Sequence, residues 1–158
     1  MKFSELKGRA VVRLEEAQRI GEVEDLMVEP VSRHIVSLKV RTGLFSAAEL
    51  VPAAAVKNVG ADAVTIASTA EPAPPSASGA PPLIALSTIL GNKVVTDAGT
   101  LVGELQDVLL DWANLAITGY EVREGGVFAK TQEFTATPDL RFGEKIITMP
   151  AQLLNQPA

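Results

Sequence analysis

The chain has 158 residues, 47% of them hydrophobic and 21% charged, with no cysteine and a formal net charge of −5. That length suits one domain or two small ones, and with only 4% aromatic residues any core is aliphatic. The absence of cysteine excludes disulfides, thiolate metal sites and cysteine nucleophiles, and the acidic balance argues against direct nucleic-acid binding, which needs a basic face to neutralise phosphates.

The charge is uneven. Nine basic residues meet nine acidic ones before residue 71, whereas residues 83–158 carry five against nine. The start, Met1-Lys2-Phe3-Ser4-Glu5-Leu6-Lys7, has no apolar run behind its lysine, so no secretory signal is read there. No apolar run approaches the ~20 residues of a membrane helix. The expectation is a cytoplasmic protein without membrane insertion.

Taken in order, the chain reads as short strands. Ala10-Val11-Val12 is a brief apolar run, and the polar stretch Arg13–Arg19 is a turn. A strand opens at Gly21 and runs to Val28, and a glycine at a strand start marks a bulge or a close backbone approach. Val28–Arg33 turns into a second strand, His34–Arg41, making the best hairpin candidate. Val51–Lys57 supplies one helical turn behind Pro52, and Ala63–Ile66 closes the unit after a turn at Gly60.

Residues 69–82 contain half of the ten prolines in the chain. Each ring fixes φ and removes an N–H, so neither helix nor sheet propagates, and the segment reads as a semi-stiff linker. Beyond it the pattern returns. Ser4, Gly8, Val11 and Val12 match Ser87, Gly91, Val94 and Val95; Gly21, Glu22 and Asp25 match Gly103, Glu104 and Asp107. Val40 and Arg41 match Val122 and Arg123, and Phe45, Gly60 and Thr65 match Phe128, Gly143 and Thr148. Matches that keep their order this way indicate a tandem duplication. The expected organisation is a domain over 1–68, a linker over 69–82, a second domain over 83–150 and a tail over 151–158. Each copy has five or six strands and no long helix, and a meander of that size hides its edges by curling into a small barrel.

The pattern Leu6-Lys7-Gly8, Val11-Val12, Ile20-Gly21-Glu22-Val23-Glu24-Asp25-Leu26 resembles the PRC-barrel family. Ile89-Leu90-Gly91, Val94-Val95, Val102-Gly103-Glu104-Leu105-Gln106-Asp107-Val108 carries the same resemblance. The family includes the cytoplasmic domain of the photosynthetic reaction-centre H subunit and the C-terminal domain of the ribosome maturation factor RimM. The resemblance implies an all-β chain: two tandem, partly open antiparallel barrels with short helical turns, used as docking modules without catalytic residues. It also implies two specialised alternatives, a relative of the H subunit that modulates photosynthetic electron transfer and a ribosome-maturation accessory. Neither the H subunit's membrane helix nor the factor's preceding domain is read in this sequence, so neither role is expected to carry over directly.

Several residues could carry chemistry. Glu22 with Asp25, and Glu104 with Asp107, are acidic pairs kept in both copies. They could hold a divalent cation or act as an acid–base pair, but hard cations want a denser oxygen cluster. The favoured reading has the aspartates bonding backbone N–H groups at a bulge while the glutamates face solvent. His34, the only histidine, is a strand-edge residue rather than a catalytic base. Gly125-Gly126 is a loop and matches no phosphate-binding motif. Trp112 sits at a hairpin tip where the first copy has Pro30. It is either a binding hot spot or the cover of an inter-copy seam. Arg41 and Arg123 end matching strands and either pair with Asp25 and Asp107 or face a partner. The expected function is a non-catalytic adaptor with no cofactor and no metal site. It would bind protein partners, and self-associate, through Trp112, Arg41 and Arg123.

Overall fold

The computed structural model describes residues 1–43, 47–68, 83–125, 130–137, 140–143 and 145–152. The linker at 69–82, the Phe45/Phe128 match, Gly126, Glu144 and the tail from 153 lie outside them.

In the first copy a single helical turn, α1 (Phe3–Leu6), leads to β1 (Ala10–Arg13), β2 (Gln18–Val28), β3 (Ile35–Arg41) and β4 (Glu49–Pro52). A 3-10 turn at Ala53–Ala55 joins β4 to β5 (Val56–Val59), and β6 (Ala63–Ile66) follows. The second copy runs β7 (Ile84–Ala85), α2 (Leu86–Ile89), β8 (Lys93–Thr96), β9 (Leu101–Asp111), β10 (Ala116–Arg123), β11 (Thr131–Thr135), β12 (Arg141–Phe142) and β13 (Ile146–Met149). The chain is all-β apart from these short turns. Its two sheets share one strand order, β4-β3-β2-β1-β6-β5 and β11-β10-β9-β8-β13-β12.

Two details differ from the expected layout. Each repeated strand starts earlier than its glycine, at Gln18 and Leu101, so Gly21 and Gly103 lie inside the strands. In addition, β1 pairs in parallel with β6, and β8 with β13, within barrels that the resemblance describes as partly open and antiparallel. Parallel neighbours need a long crossover, and the β2–β5 stretch of the first copy, like its counterpart in the second, provides it while curling the sheet round. The inner face is aliphatic: Val11, Leu26, Val28, Leu38, Val40, Val51, Val64 and Ile66 are fully buried in the first sheet. Val108, Tyr120, Val122 and Ile147 take that role in the second.

The alternation of β2 and β9 breaks at matching places. Register shifts occur between Val23 and Asp25 opposite β3, and between Glu121 and Val122 opposite β9. A bulge adds one residue on one strand and reorients side chains. As a result Asp25 and Leu26 are both buried, as are Asp107 and Val108.

The short helices trade places. α1 packs against β9 of the second copy, and α2 packs against β2 of the first. The residues ahead of each helix follow: Lys2 bridges to Leu109, while Ile84 and Ala85 pair with Val28 and Met27. Four residues cannot sustain a helix alone. Here Phe3, Leu6 and Leu86 are fully buried, and a burial of that kind contributes about 1.5–3 kcal/mol per side chain.

Candidate functional site

The residues most visibly repeated meet across the boundary between the copies. Asp107 accepts a hydrogen bond from the Ser4 backbone N–H at 3.1 Å, another from the Ser4 hydroxyl, and a third from its own neighbour Val108 N–H at 2.9 Å. Asp25 does the same with Ser87 N–H at 3.1 Å, the Ser87 hydroxyl and Leu26 N–H at 2.9 Å. The aspartates do bond backbone groups at a bulge, as expected. The added element is the serine, which belongs to the opposite copy's helical turn. Two reciprocal clasps therefore tie the barrels together. The Lys2 ammonium reinforces one of them with an ion pair to Glu121 at 2.8 Å.

Arg41 and Arg123 do not pair with these aspartates. Arg41 bonds Glu22, which Arg19 also approaches at 3.8 Å. Arg123 makes no ion pair among the described residues, and Glu104 beside it is exposed. The acidic pairs thus divide: the aspartates serve the seam, and the glutamates lie at the far ends of the barrels. Among the described residues no three His, Cys, Asp or Glu side chains gather to hold a metal ion.

Arg41 holds the Glu22 carboxyl below the usual carboxylate range, through its hydrogen bond first and its charge second. A depressed carboxyl contributes stability that is present above its unfolded value, about 4.3, and is lost as pH falls through the lower folded value. The Glu22 carboxyl should therefore titrate below an ordinary glutamate by NMR, and Arg41→Gln should return it to the ordinary range.

The seam has a second part. His34 bridges Ala116, its own counterpart in the repeat, so the local two-fold passes between them. Ile35 N–H donates to the Leu115 carbonyl at 2.7 Å, and Ile117 N–H donates to the Arg33 carbonyl at 3.1 Å. Arg33 and Leu115 hold φ of 59° and 50° to make this crossing. His34 is exposed at the strand edge, as expected.

On either side of this axis the two copies have diverged. One flank is apolar, with Trp112 and Leu115 packed on the core and sharing a cavity with Ala53 and Val56. On the other flank stand Arg33 and Tyr120 of the second barrel; burial pushes the Tyr120 phenol up, and the Arg33 charge draws it partly back. The Arg33 Nη1 and the Tyr120 hydroxyl are both buried without a hydrogen-bond partner.

Trp112 is half-buried and packs on the core, and it shares a cavity of about 350 Å³ with Ala53, Val56 and Val59 of the first copy. Trp112 therefore lies at the seam between the copies and lines the groove there. Trp112→Ala should lower stability by about 2 kcal/mol, less than the ~3–5 kcal/mol of a fully buried aromatic. Trp112→Phe should cost less, because it keeps a ring and deletes an indole N–H that is buried without an acceptor. Urea denaturation of both variants measures this.

The three expected contact residues are not brought together. Trp112 lies in the turn before β10, at the seam, whereas Arg123 ends β10, a strand about 23 Å long at ~3.3 Å per residue. Arg41 occupies the equivalent far end of β3. The barrel mouths there are cavities: about 280 Å³ beside Arg123, Lys93 and Gly103, and about 180 Å³ beside Arg41, Arg19 and Gly21. Ser4 and Ser87 are the functional positions that a reading of single residues misses. Their shared offset with the glycines of the repeat is the signal that could have found them.

A family model described as PRC-barrel domain matches the chain twice, over residues 1–71 and 81–152. No curated protein matches it.

Proposed function

The chain belongs to the PRC-barrel family, with two such domains in tandem, and from that premise we propose that it is a non-catalytic adaptor for protein partners. The observation that carries this reading is the pair of clasps. Asp25 and Asp107, the carboxylates kept in both copies and buried, already accept three hydrogen bonds each. Their work is to fix one barrel against the other. A fixed pair of barrels offers partners a constant spacing between the Arg41 mouth, the seam and the Arg123 mouth, which is the property a scaffold requires.

The test is affinity capture from native lysate with the full chain as bait, run beside the Asp25→Ala/Asp107→Ala variant and a bait-free control. Proteins held by the wild-type chain and released by the uncoupled variant support the reading. A capture indistinguishable from the control sinks it.

A further inference from the structure

The adaptor reading leaves open which surface does the holding, and the proposal that follows rests on that reading. We propose that the free edge of β5, facing the Trp112 hairpin tip, is a docking groove for an extended peptide strand that carries a carboxylate.

β5 ends its sheet: it pairs with β6 on one side and with no strand on the other among the described residues. Such an edge presents unpaired N–H and C=O groups, which are a template for another strand. In most proteins the space beside an edge is open water. Beside β5 there is a cavity of about 350 Å³, lined by Val56, Lys57 and Val59 and, from the other copy, by Trp112 and Leu115. That volume falls within the ~300–1,000 Å³ of ordinary ligand clefts. The groove continues the seam, so the hydrogen bonds of Ile35 to Leu115 and of Ile117 to Arg33 hold its two walls in fixed relation.

The occupant follows from hydrogen bonding and charge. Main-chain bonds to an edge give affinity, and alternate side chains give specificity. Trp112, Val56 and Val59 suit an apolar side chain. Lys57, which lies at the register shift of β5 against β6, is exposed and makes no ion pair among the described residues. A second copy of the chain would bring two β5 strands together with lysine close to lysine, and like charges across strands destabilise a pair. A foreign strand with Asp or Glu opposite Lys57 gains where self-pairing loses. The equivalent place in the first copy's hairpin holds Pro30, which cannot wall a groove in the same way, so one groove per chain is expected.

The probe is a random octapeptide pool displayed on phage and selected on the immobilised full chain. Enriched peptides should carry an acidic residue among β-prone ones, and should slow hydrogen exchange at the β5 amides. Ala54 is exposed and lines the groove, so Ala54→Arg fills the space without entering the core and should weaken these peptides by about tenfold or more. Lys57→Glu should weaken the acidic ones by about threefold or more. An unenriched pool, or peptides that bind Ala54→Arg as tightly as wild type, would overturn the groove, and indifference to Lys57→Glu would overturn the carboxylate. If Ala54→Arg fails to fold, unchanged β5 exchange in the wild-type complex is the overturning result. None of these outcomes touches the adaptor reading, which stands or falls on the lysate capture.

Discussion

Gly103→Ala should lower folding stability by about 3 kcal/mol or more, with Gly21→Ala close behind. A Cβ at Gly103 would fall on the Arg123 carbonyl oxygen and lie 3.1 Å from the Glu124 Cα. At Gly21 it would meet the Arg41 carbonyl oxygen and the Val40 Cγ1 at 2.9 Å. Most of these obstacles are backbone, so no rotamer change clears them. The strand must move away from its neighbour, opening the β9–β10 or β2–β3 ladder at the point where it is bonded on both sides. Overpacking a well-filled site costs about 1–3 kcal/mol and more when backbone must shift. Gly125→Ala is the control, since its Cβ would meet open space. Urea midpoints at constant slope separate the variants. A Gly103→Ala loss no greater than that of Gly125→Ala would mean that the strands part freely there.

The reason for these glycines is partly legible in the amino-acid sequence. A glycine kept at one place in both copies of an apolar strand points to a bulge or a close approach, and the close approach is to the partner strand's carbonyl. The hairpin of β2 and β3, the turn before β6 and the duplication itself are legible for a similar reason: alternation and turn residues are local signals. The parallel pairing of β1 with β6 is not, because it joins residues about fifty apart and no local pattern encodes direction. The helical turns at Phe3–Leu6 and Leu86–Ile89 escape a sequence reading because four residues show no periodicity; docking on the other copy, not propensity, makes them helical. The same exchange hides the partners of Asp25 and Asp107. A pairing of Arg41 and Arg123 with the aspartates is plausible from their shared retention. The bulges defeat it, turning the aspartates into the seam while the arginines stay at the exposed far ends of β3 and β10. Trp112 is legible as a divergence from Pro30, and seam cover is one of its two readings there; choosing between them needs the orientation of the barrels, which sets what it covers.

Removing Asp107 should have an effect as large as the glycine substitutions, by a different route. In Asp107→Ala the Ser4 and Val108 N–H groups and the Ser4 hydroxyl lose their acceptor together. The Val108 N–H is buried, and leaving a buried group unsatisfied costs about 1–3 kcal/mol, while the part-buried Ser4 groups add less each, so a total loss near 3 kcal/mol is expected. Ser4→Ala, which removes only the hydroxyl, should cost about 1.5 kcal/mol, in the range for a hydrogen bond to a charged group. Because the two side chains share one bond, their losses should not add: a double-mutant cycle should return a coupling of about 1–2 kcal/mol. Ser87 and Asp25 should give the same cycle, since the geometry is the same. A domain the size of either copy is marginal alone, so what the clasps add is cooperativity as much as stability. The wild-type chain should unfold in one transition, and Asp25→Ala/Asp107→Ala should broaden or split it, with tryptophan fluorescence at Trp112 leaving the far-UV signal behind. A coupling near zero, with a single sharp transition in the double variant, would mean that the barrels are held by seam packing alone and that the repeated serines and aspartates are not what joins them.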